Sequence, residues 1–193
     1  MMTSQKDTYT LPNGVKIPCL GFGTWQTPDG ETAVRSVLCA LEAGYTHIDT
    51  AQAYGNEESV GKAIRLSGIP RGELFITTKL WNANHSYELA MRSFEESMNK
   101  LGLDYLDLFL IHWPNPVAFR DHWQQANAES WKAMEELVDA GRVVGIPLVD
   151  HVVVGGLPDL RGPDGSIDTT RCFDLVPRFR SLRRTGAVDF DLV

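Results

Sequence analysis

Across residues 8–144 the apolar pattern switches between short strand-like runs and helix-spaced stretches four times, in strict alternation. That order confines the chain to an α/β fold on a parallel sheet, because each helix must cross back before the next strand begins. A hairpin comes first: Thr8-Tyr9-Thr10-Leu11 and Val15-Lys16-Ile17 flank Pro12-Asn13-Gly14, with Asn-Gly at the turn. Cys19-Leu20-Gly21-Phe22-Gly23 reads as a short buried strand. Asp29 is placed to cap a helix in which Val34, Val37, Leu38 and Leu41 recur at helical spacing up to Gly44. Tyr45-Thr46-His47-Ile48-Asp49 is the next strand, followed by a helix over about 56–65 with Val60 and Ile64 inward, then the strand Leu74 to Lys79. A helix from about Ser86 carries Ala90, Phe94, Met98 and Leu101 on one face. Leu106 to His112 is the fourth strand, stopped by Pro114, and the helix around Trp131, Met134 and Val138 closes at Gly141.

A doubly wound sheet and a barrel both satisfy this alternation, and the polar residues decide between them. Thr24, Asp49, Lys79 and His112 each stand at or just past the end of a strand, where barrel enzymes place their chemistry. No glycine-rich phosphate loop follows the first strand, which argues against a dinucleotide fold of the Rossmann kind. The expected architecture is therefore a TIM-type (β/α)8 barrel, of which the chain supplies the first four to five β/α units. A complete barrel runs to about 250 residues, and this chain has 193.

Composition excludes several partners. The net charge of −7 opposes binding to nucleic acid or an anionic membrane, both of which select a basic face. No apolar run approaches the roughly 20 residues that span a bilayer, and the polar start Met1-Met2-Thr3-Ser4-Gln5-Lys6-Asp7 does not resemble a signal peptide. The expected compartment is the cytoplasm. Cys19, Cys39 and Cys172 share no metal or redox spacing, and Cys19 and Cys39 read as small core residues. The oligomeric state is not legible.

The character changes at Gly145. Residues 145–193 contain no Lys, Glu, Asn, Gln, Met, Tyr or Trp, while Arg, Asp, Gly, Val and Pro dominate. The chain is accordingly read as two parts: residues 1–144, and a divergent tail over 145–193. Loss of seven residue types at once is what a shifted reading frame in GC-rich DNA, or a truncated gene, would produce; a loop-rich variable tail is the plainer alternative.

Asp49, Tyr54, Lys79 and His112 are the residues with chemistry to offer. Reduction of a carbonyl needs a hydride on carbon and a proton for the oxygen. A phenol can donate that proton, but its ordinary pKa near ~10 makes it a slow acid at neutral pH. A buried ammonium beside it favours the phenolate, and a carboxylate holds the ammonium in place. Lys79 and Asp49 have the residue types for those two tasks, and His112 the type to hydrogen-bond and orient the carbonyl oxygen. Read singly, each has a blander account as an ion pair or a satisfied core histidine. His47, His85, His122 and His151 show no ligand spacing, and Glu57-Glu58 reads as a solvated helix start complementing the helix dipole.

Longer motifs add a resemblance. Gly21-Phe22-Gly23-Thr24-Trp25, His47-Ile48-Asp49-Thr50-Ala51 with Tyr54-Gly55-Asn56-Glu57, Leu74 through Lys79-Leu80-Trp81, and Asp104-Tyr105-Leu106-Asp107-Leu108 through Ile111-His112-Trp113-Pro114 resemble, in order, segments of the aldo-keto reductases. The similarity covers about residues 8–144, nearest in flavour to bacterial members related to diketogluconate reductases. The resemblance implies a cofactor, NADPH, and a small-molecule carbonyl substrate. It implies Tyr54 as proton donor, Lys79 and Asp49 as its tuning pair and His112 as the orienting group. Thr24 and Asp49 would approach the nicotinamide ribose, and Trp25, Trp81 and Trp113 would line an apolar substrate pocket together with His112. The family continues past Gly141-Arg142-Val143 with a strand ending in Ser-Asn and three more units; here Val144-Gly145-Ile146-Pro147-Leu148-Val149 is a candidate strand without that pair. Two alternatives stand beside this reading: a catalytically inactive fragment or binding module of the same family, and a metal-dependent barrel hydrolase using His47, Asp49 and His112.

Overall fold

The computed structural model describes residues 4, 6–11 and 14–143 in full, and the backbone of 152–154 and 179–181. The chain divides into two compact units, Met1–Pro147 and Leu148–Val193. In the second, the described elements are β7 (Val152–Val154) and β8 (Phe179–Ser181), which pair antiparallel. The candidate strand over 144–149, and with it the question of what the divergent tail is, lies outside the described residues.

The first unit begins with the expected hairpin, β1 (Thr8–Thr10) and β2 (Lys16–Pro18), with Tyr9 opposite Ile17. Gly14 sits at φ 85°, the conformation an Asn-Gly turn requires. Four parallel strands follow in the order β3 (Gly21–Gly23), β4 (His47–Asp49), β5 (Phe75–Leu80) and β6 (Leu108–Ile111). Helices alternate with them: α1 (Glu31–Glu42), α2 (Glu57–Ser67), α3 (Tyr87–Leu101) and α4 (Trp123–Asp139). After α4, Val143 forms a parallel bridge with Leu106 beside the start of β6. No helix among the described residues is long and apolar enough to cross a membrane.

Strand parity sorts the side chains into two faces. Ile48, Ile76, Leu80 and Phe109 belong to the buried core shared with Val34, Val37, Val60, Ile64, Phe94, Met98 and Leu137 of the helices. Phe94 meets Phe109 edge to face at 5.4 Å. The intervening positions of β4 and β5, His47, Asp49, Thr77 and Lys79, share the other face, where His47 Nε2 lies 2.9 Å from Thr77 Oγ1. One strand thus feeds a hydrophobic layer on one side and a polar cluster on the other.

Several local expectations need correcting. Cys19 and Cys39 are exposed rather than core. Cys39 stands on the side of α1 opposite the buried Ala33, Val34, Val37, Ala40 and Leu41, so an apolar stretch of sequence misassigned a helix's outer face. The strand at Gly21–Gly23 is not buried either: both glycines are exposed and Phe22 is half-buried, since among the described strands β3 has a neighbour on one edge only. Asp29 does not cap α1. Gly30 holds that position, and Asp29 Oδ1 instead accepts from Ser59 Oγ of α2 at 2.6 Å, tying the two helices together. Ser86 does cap α3, accepting from the Leu89 amide.

Glu57 is the largest departure. It is 1% exposed, not solvated. Its Oε1 accepts from Thr78 Oγ1 of β5 at 2.6 Å, and its Oε2 has no hydrogen-bond partner among the described residues. Burial raises its pKa, against the smaller opposing effects of the Thr78 and Ser97 hydroxyls and the Lys100 cation. Thr78 shares the parity of Ile76 and Leu80, so the strand presents a hydroxyl to the helix layer and α2 answers with a carboxyl group.

Two outcomes follow. An added Cβ on Gly61 would lie 2.0 Å from the Leu101 carbonyl oxygen, so Gly61→Ala forces α2 off α3 and should cost about 1–3 kcal/mol in urea unfolding. A raised carboxyl pKa means that the folded state binds the proton more tightly, so Glu57's contribution is present at low pH and lost as pH rises through its folded pKa. Glu57→Gln should therefore raise the unfolding midpoint at pH 8, with the gain shrinking toward pH 4.5; a gain that does not change with pH would contradict the burial argument.

Candidate active site

The cluster is assembled from three strand ends. β4 delivers Asp49 at its last position, and the chain then makes a single 3₁₀ turn, Gln52–Tyr54, that brings Tyr54 back over the sheet. Gly55, at φ 70°, ends that turn and releases the chain into α2. β5 delivers Lys79, and His112 follows directly on β6.

Lys79 Nζ makes three contacts: Asp49 Oδ1 at 2.5 Å, the Thr50 carbonyl oxygen at 2.8 Å and Tyr54 Oη at 3.3 Å. An ammonium has three N–H donors, so each has an acceptor. The cation also stands 5.0 Å from the centre of the Tyr54 ring. His112 packs edge to face on Tyr54 with ring centroids 5.6 Å apart, and its Nδ1 has no hydrogen-bond partner among the described residues. Burial lowers the pKa of His112, the Lys79 cation lowers it further, and Asp49 only partly offsets them. A neutral imidazole, one nitrogen donating and the other accepting, is the form this setting favours.

Thr24 and Asp49, both expected to approach the nicotinamide ribose, differ in burial: the Asp49 side chain is 33% exposed. Thr24 is fully buried; its hydroxyl donates to that of Thr50 at 2.9 Å, which donates to Asn56 Oδ1 at 3.1 Å. Asn56 Nδ2 in turn donates to the carbonyls of Thr24 and Thr27 at 2.9 and 3.0 Å. Thr24 also meets the Asp49 carbonyl oxygen, through its amide at 2.9 Å and its hydroxyl at 3.4 Å. Its side chain is a brace between two loops. Asn56 and Thr50, which complete that brace, were not singled out from sequence; an Asn just before a helix reads as an ordinary cap, and only the fold shows what it holds.

Trp25, Trp81 and Trp113 each stand one or two residues past a strand end, at 68%, 41% and 53% exposure. Gln52 Oε1 accepts from the Trp81 amide at 3.3 Å, linking the Tyr54 turn to the Trp81 loop. His47, needed by a metal-hydrolase arrangement, turns Nε2 to Thr77 and sets its ring edge-on to Phe75 at 4.9 Å.

The two members of the ion pair are unequally solvated: the Lys79 side chain is 12% exposed and that of Asp49 33%. Removing the carboxylate strands the drier charge. Asp49→Asn should therefore cost about 1–3 kcal/mol, between the limits for exposed and buried pairs, and more than Lys79→Met. Urea unfolding of both variants checks the order; the reverse ranking would show Asp49 to be the less solvated partner.

Comparison with known proteins places the chain in a family. Residues 19–151 match the family profile described as "Aldo/keto reductase family", somewhat beyond the limit of residue 144 read from sequence. The glyoxal reductase of Bacillus subtilis (strain 168) is 45% identical over 146 residues, covering 76% of this chain and 50% of that protein. An aldo/keto reductase crystal structure from Brucella melitensis superposes with a TM-score of 0.66 at 50% identity, over 72% of this chain and 51% of that one. The Bombyx mori aldo-keto reductase, solved in complex with NADP, gives a TM-score of 0.63 at 36% identity, over 74% of this chain and 50% of that one. The chain spans about half the length of these relatives. The parallel sheet with its helix layer is part of a (β/α)8 barrel, and the chain belongs to the aldo/keto reductase family.

Proposed function

We propose that the chain is a cytoplasmic oxidoreductase that reduces a small aldehyde or ketone to an alcohol with NADPH, using Tyr54 as the proton donor. The observation that carries this reading is the contact of Lys79 Nζ with Tyr54 Oη at 3.3 Å, with Asp49 on the same ammonium at 2.5 Å. As the phenol gives up its proton to the carbonyl oxygen, negative charge grows on Tyr54 Oη, where the ammonium is already aligned to stabilise it. His112, beside the Tyr54 ring and neutral, can donate to the same carbonyl oxygen and fix its direction.

The residues present suit the nicotinamide end of the cofactor. Asp49 commits Oδ1 to Lys79, and its side chain is one-third exposed, which leaves Oδ2 to accept from a ribose hydroxyl. Thr24, its hydroxyl engaged internally, would hold Asp49 in place rather than touch the ribose. A bound dihydronicotinamide supplies the hydride to the carbonyl carbon. The exposed Trp25, Trp81 and Trp113 offer apolar faces for the rest of the substrate. Reduction of the carbonyl would use the hydride that bound NADPH supplies, leaving NADP+, together with one proton given by Tyr54, which regains it from water.

The test is consumption of NADPH, followed at 340 nm, with glyoxal and with a simple aromatic aldehyde. Tyr54→Phe keeps the ring against His112 and removes the proton; turnover should fall by about 10²–10⁴-fold, the usual worth of a general acid, while NADPH affinity holds. Near-normal turnover by Tyr54→Phe would remove it from the mechanism. If the wild-type chain binds NADPH but consumes none with either carbonyl, the non-catalytic reading takes over.

A further inference from the structure

A second polar cluster lies beside the first, and the reaction chemistry above does not use it. His85 ends the loop that begins at Trp81, and Asn127 stands on the second turn of α4. They are 1% and 3% exposed. Asn127 Nδ2 donates to the Pro114 carbonyl oxygen at 2.7 Å, and Asn127 Oδ1 lies 3.1 Å from His85 Nδ1.

The chemistry of that chain has one solution. A proline carbonyl can only accept, so Asn127 must turn its amide nitrogen toward Pro114; the opposite amide orientation would set two carbonyl oxygens 2.7 Å apart. Its Oδ1 therefore faces His85, and an oxygen acceptor there requires the proton on Nδ1. His85 is fixed as the Nδ1–H tautomer, with a bare Nε2 that has no hydrogen-bond partner among the described residues. Burial keeps the imidazole neutral, against the smaller opposing effect of the Asn127 bond. Phe119, from the 3₁₀ turn Val117–His122, stacks on the His85 ring at 5.5 Å and 19°.

The segment from His112 to His122 is thus tied down twice, by a hydrogen bond at Pro114 and by a ring at Phe119, and both ties converge on His85. Pro114 is two residues from His112 and next to Trp113. We propose that His85 and Asn127 are positioning residues that hold the His112–Pro114 segment against the Trp81 loop, and so set the fit of the carbonyl substrate between Trp81 and Trp113. The substrate part rests on the reductase reading above; the holding part does not. Because both groups are buried, their bonds do not compete with water, and losing either leaves an unsatisfied partner.

The test compares Asn127→Ala, His85→Leu and His85→Gln in the full chain. Gln can donate from its amide to Asn127 Oδ1, whereas Leu cannot. Hydrogen exchange of the peptide carrying His112, Trp113 and Asn115 should speed up by about tenfold in Asn127→Ala and His85→Leu, as for one lost buried hydrogen bond, and return toward wild type in His85→Gln. Peptides from β5 should not change. In kinetics, KM for an aromatic aldehyde should rise by about the same factor, with kcat, KM for glyoxal and NADPH affinity much less affected. Unchanged exchange at 112–115, or a rise shared equally by β5, overturns the positioning claim. Equal KM changes for both aldehydes overturn the substrate claim. A wild-type chain that turns over neither carbonyl overturns the reductase reading and its substrate consequence, while the exchange comparison still decides whether the pair holds the segment.

Discussion

The ammonium of Lys79 is the group around which the described half-barrel is organised. It sits on the polar face of β5 with little access to water, and three acceptors meet its three donors. Those acceptors come from β4 and from the turn that follows it: a strand-end carboxylate, a backbone carbonyl and a phenol. Each demands something of the fold. Parallel pairing of β4 with β5 must put Asp49 beside Thr77, two residues before Lys79, and Gly55 must let the turn close so that Tyr54 returns. A slip of one residue in that register would send Lys79 into the helix layer, where Ile76, Thr78 and Leu80 now face.

Around this centre the loops are braced by buried amides. Asn56 joins the loop after β3 to the one after β4, and Asn127 joins the loop after β6, through His85, to the one after β5. Both asparagines are almost wholly buried, and each uses nitrogen and oxygen in opposite directions. Backbone segments without regular structure carry unpaired N–H and C=O groups, and an amide side chain, with two N–H donors and an oxygen acceptor, can satisfy both kinds at once. Asn56 stands at the N-cap of α2 and Asn127 on the second turn of α4, both near the helix starts that follow the loops. An apolar layer beneath and amide ties above flank the strand ends that carry Asp49, Lys79 and His112.

His112 is held below its ordinary pKa by burial and by the neighbouring cation, so it sits beside Tyr54 as a hydrogen-bonding group rather than a second charge. Glu57, on the opposite face of β5, is pushed the other way by burial. The same strand therefore separates a charged cluster from a carboxyl group that favours its neutral form, with Thr77 and Thr78 turned to opposite sides.

Much of this was legible in the sequence, because alternation of strand and helix depends on periodicity that local composition carries. The order of elements, the parallel sheet and the strand-end positions of Asp49, Lys79 and His112 follow from it, as does the start of a helix near Ser86. The motifs around Gly21–Trp25, His47–Glu57, Leu74–Trp81 and Asp104–Pro114 carried the family. What the sequence could not decide was which face of an element meets which neighbour. Cys39 lies in an apolar stretch yet points outward, Glu57 begins a helix yet is buried under Thr78, and Thr24 closes a strand yet spends its hydroxyl on Thr50. Those outcomes depend on contacts distant in sequence, such as Thr24 with Asn56, 32 positions apart, and Glu57 with Thr78, 21 positions apart. Residue order fixes the period of each element; only packing fixes its rotation, and rotation decides whether a polar side chain meets water, a ligand or another buried group.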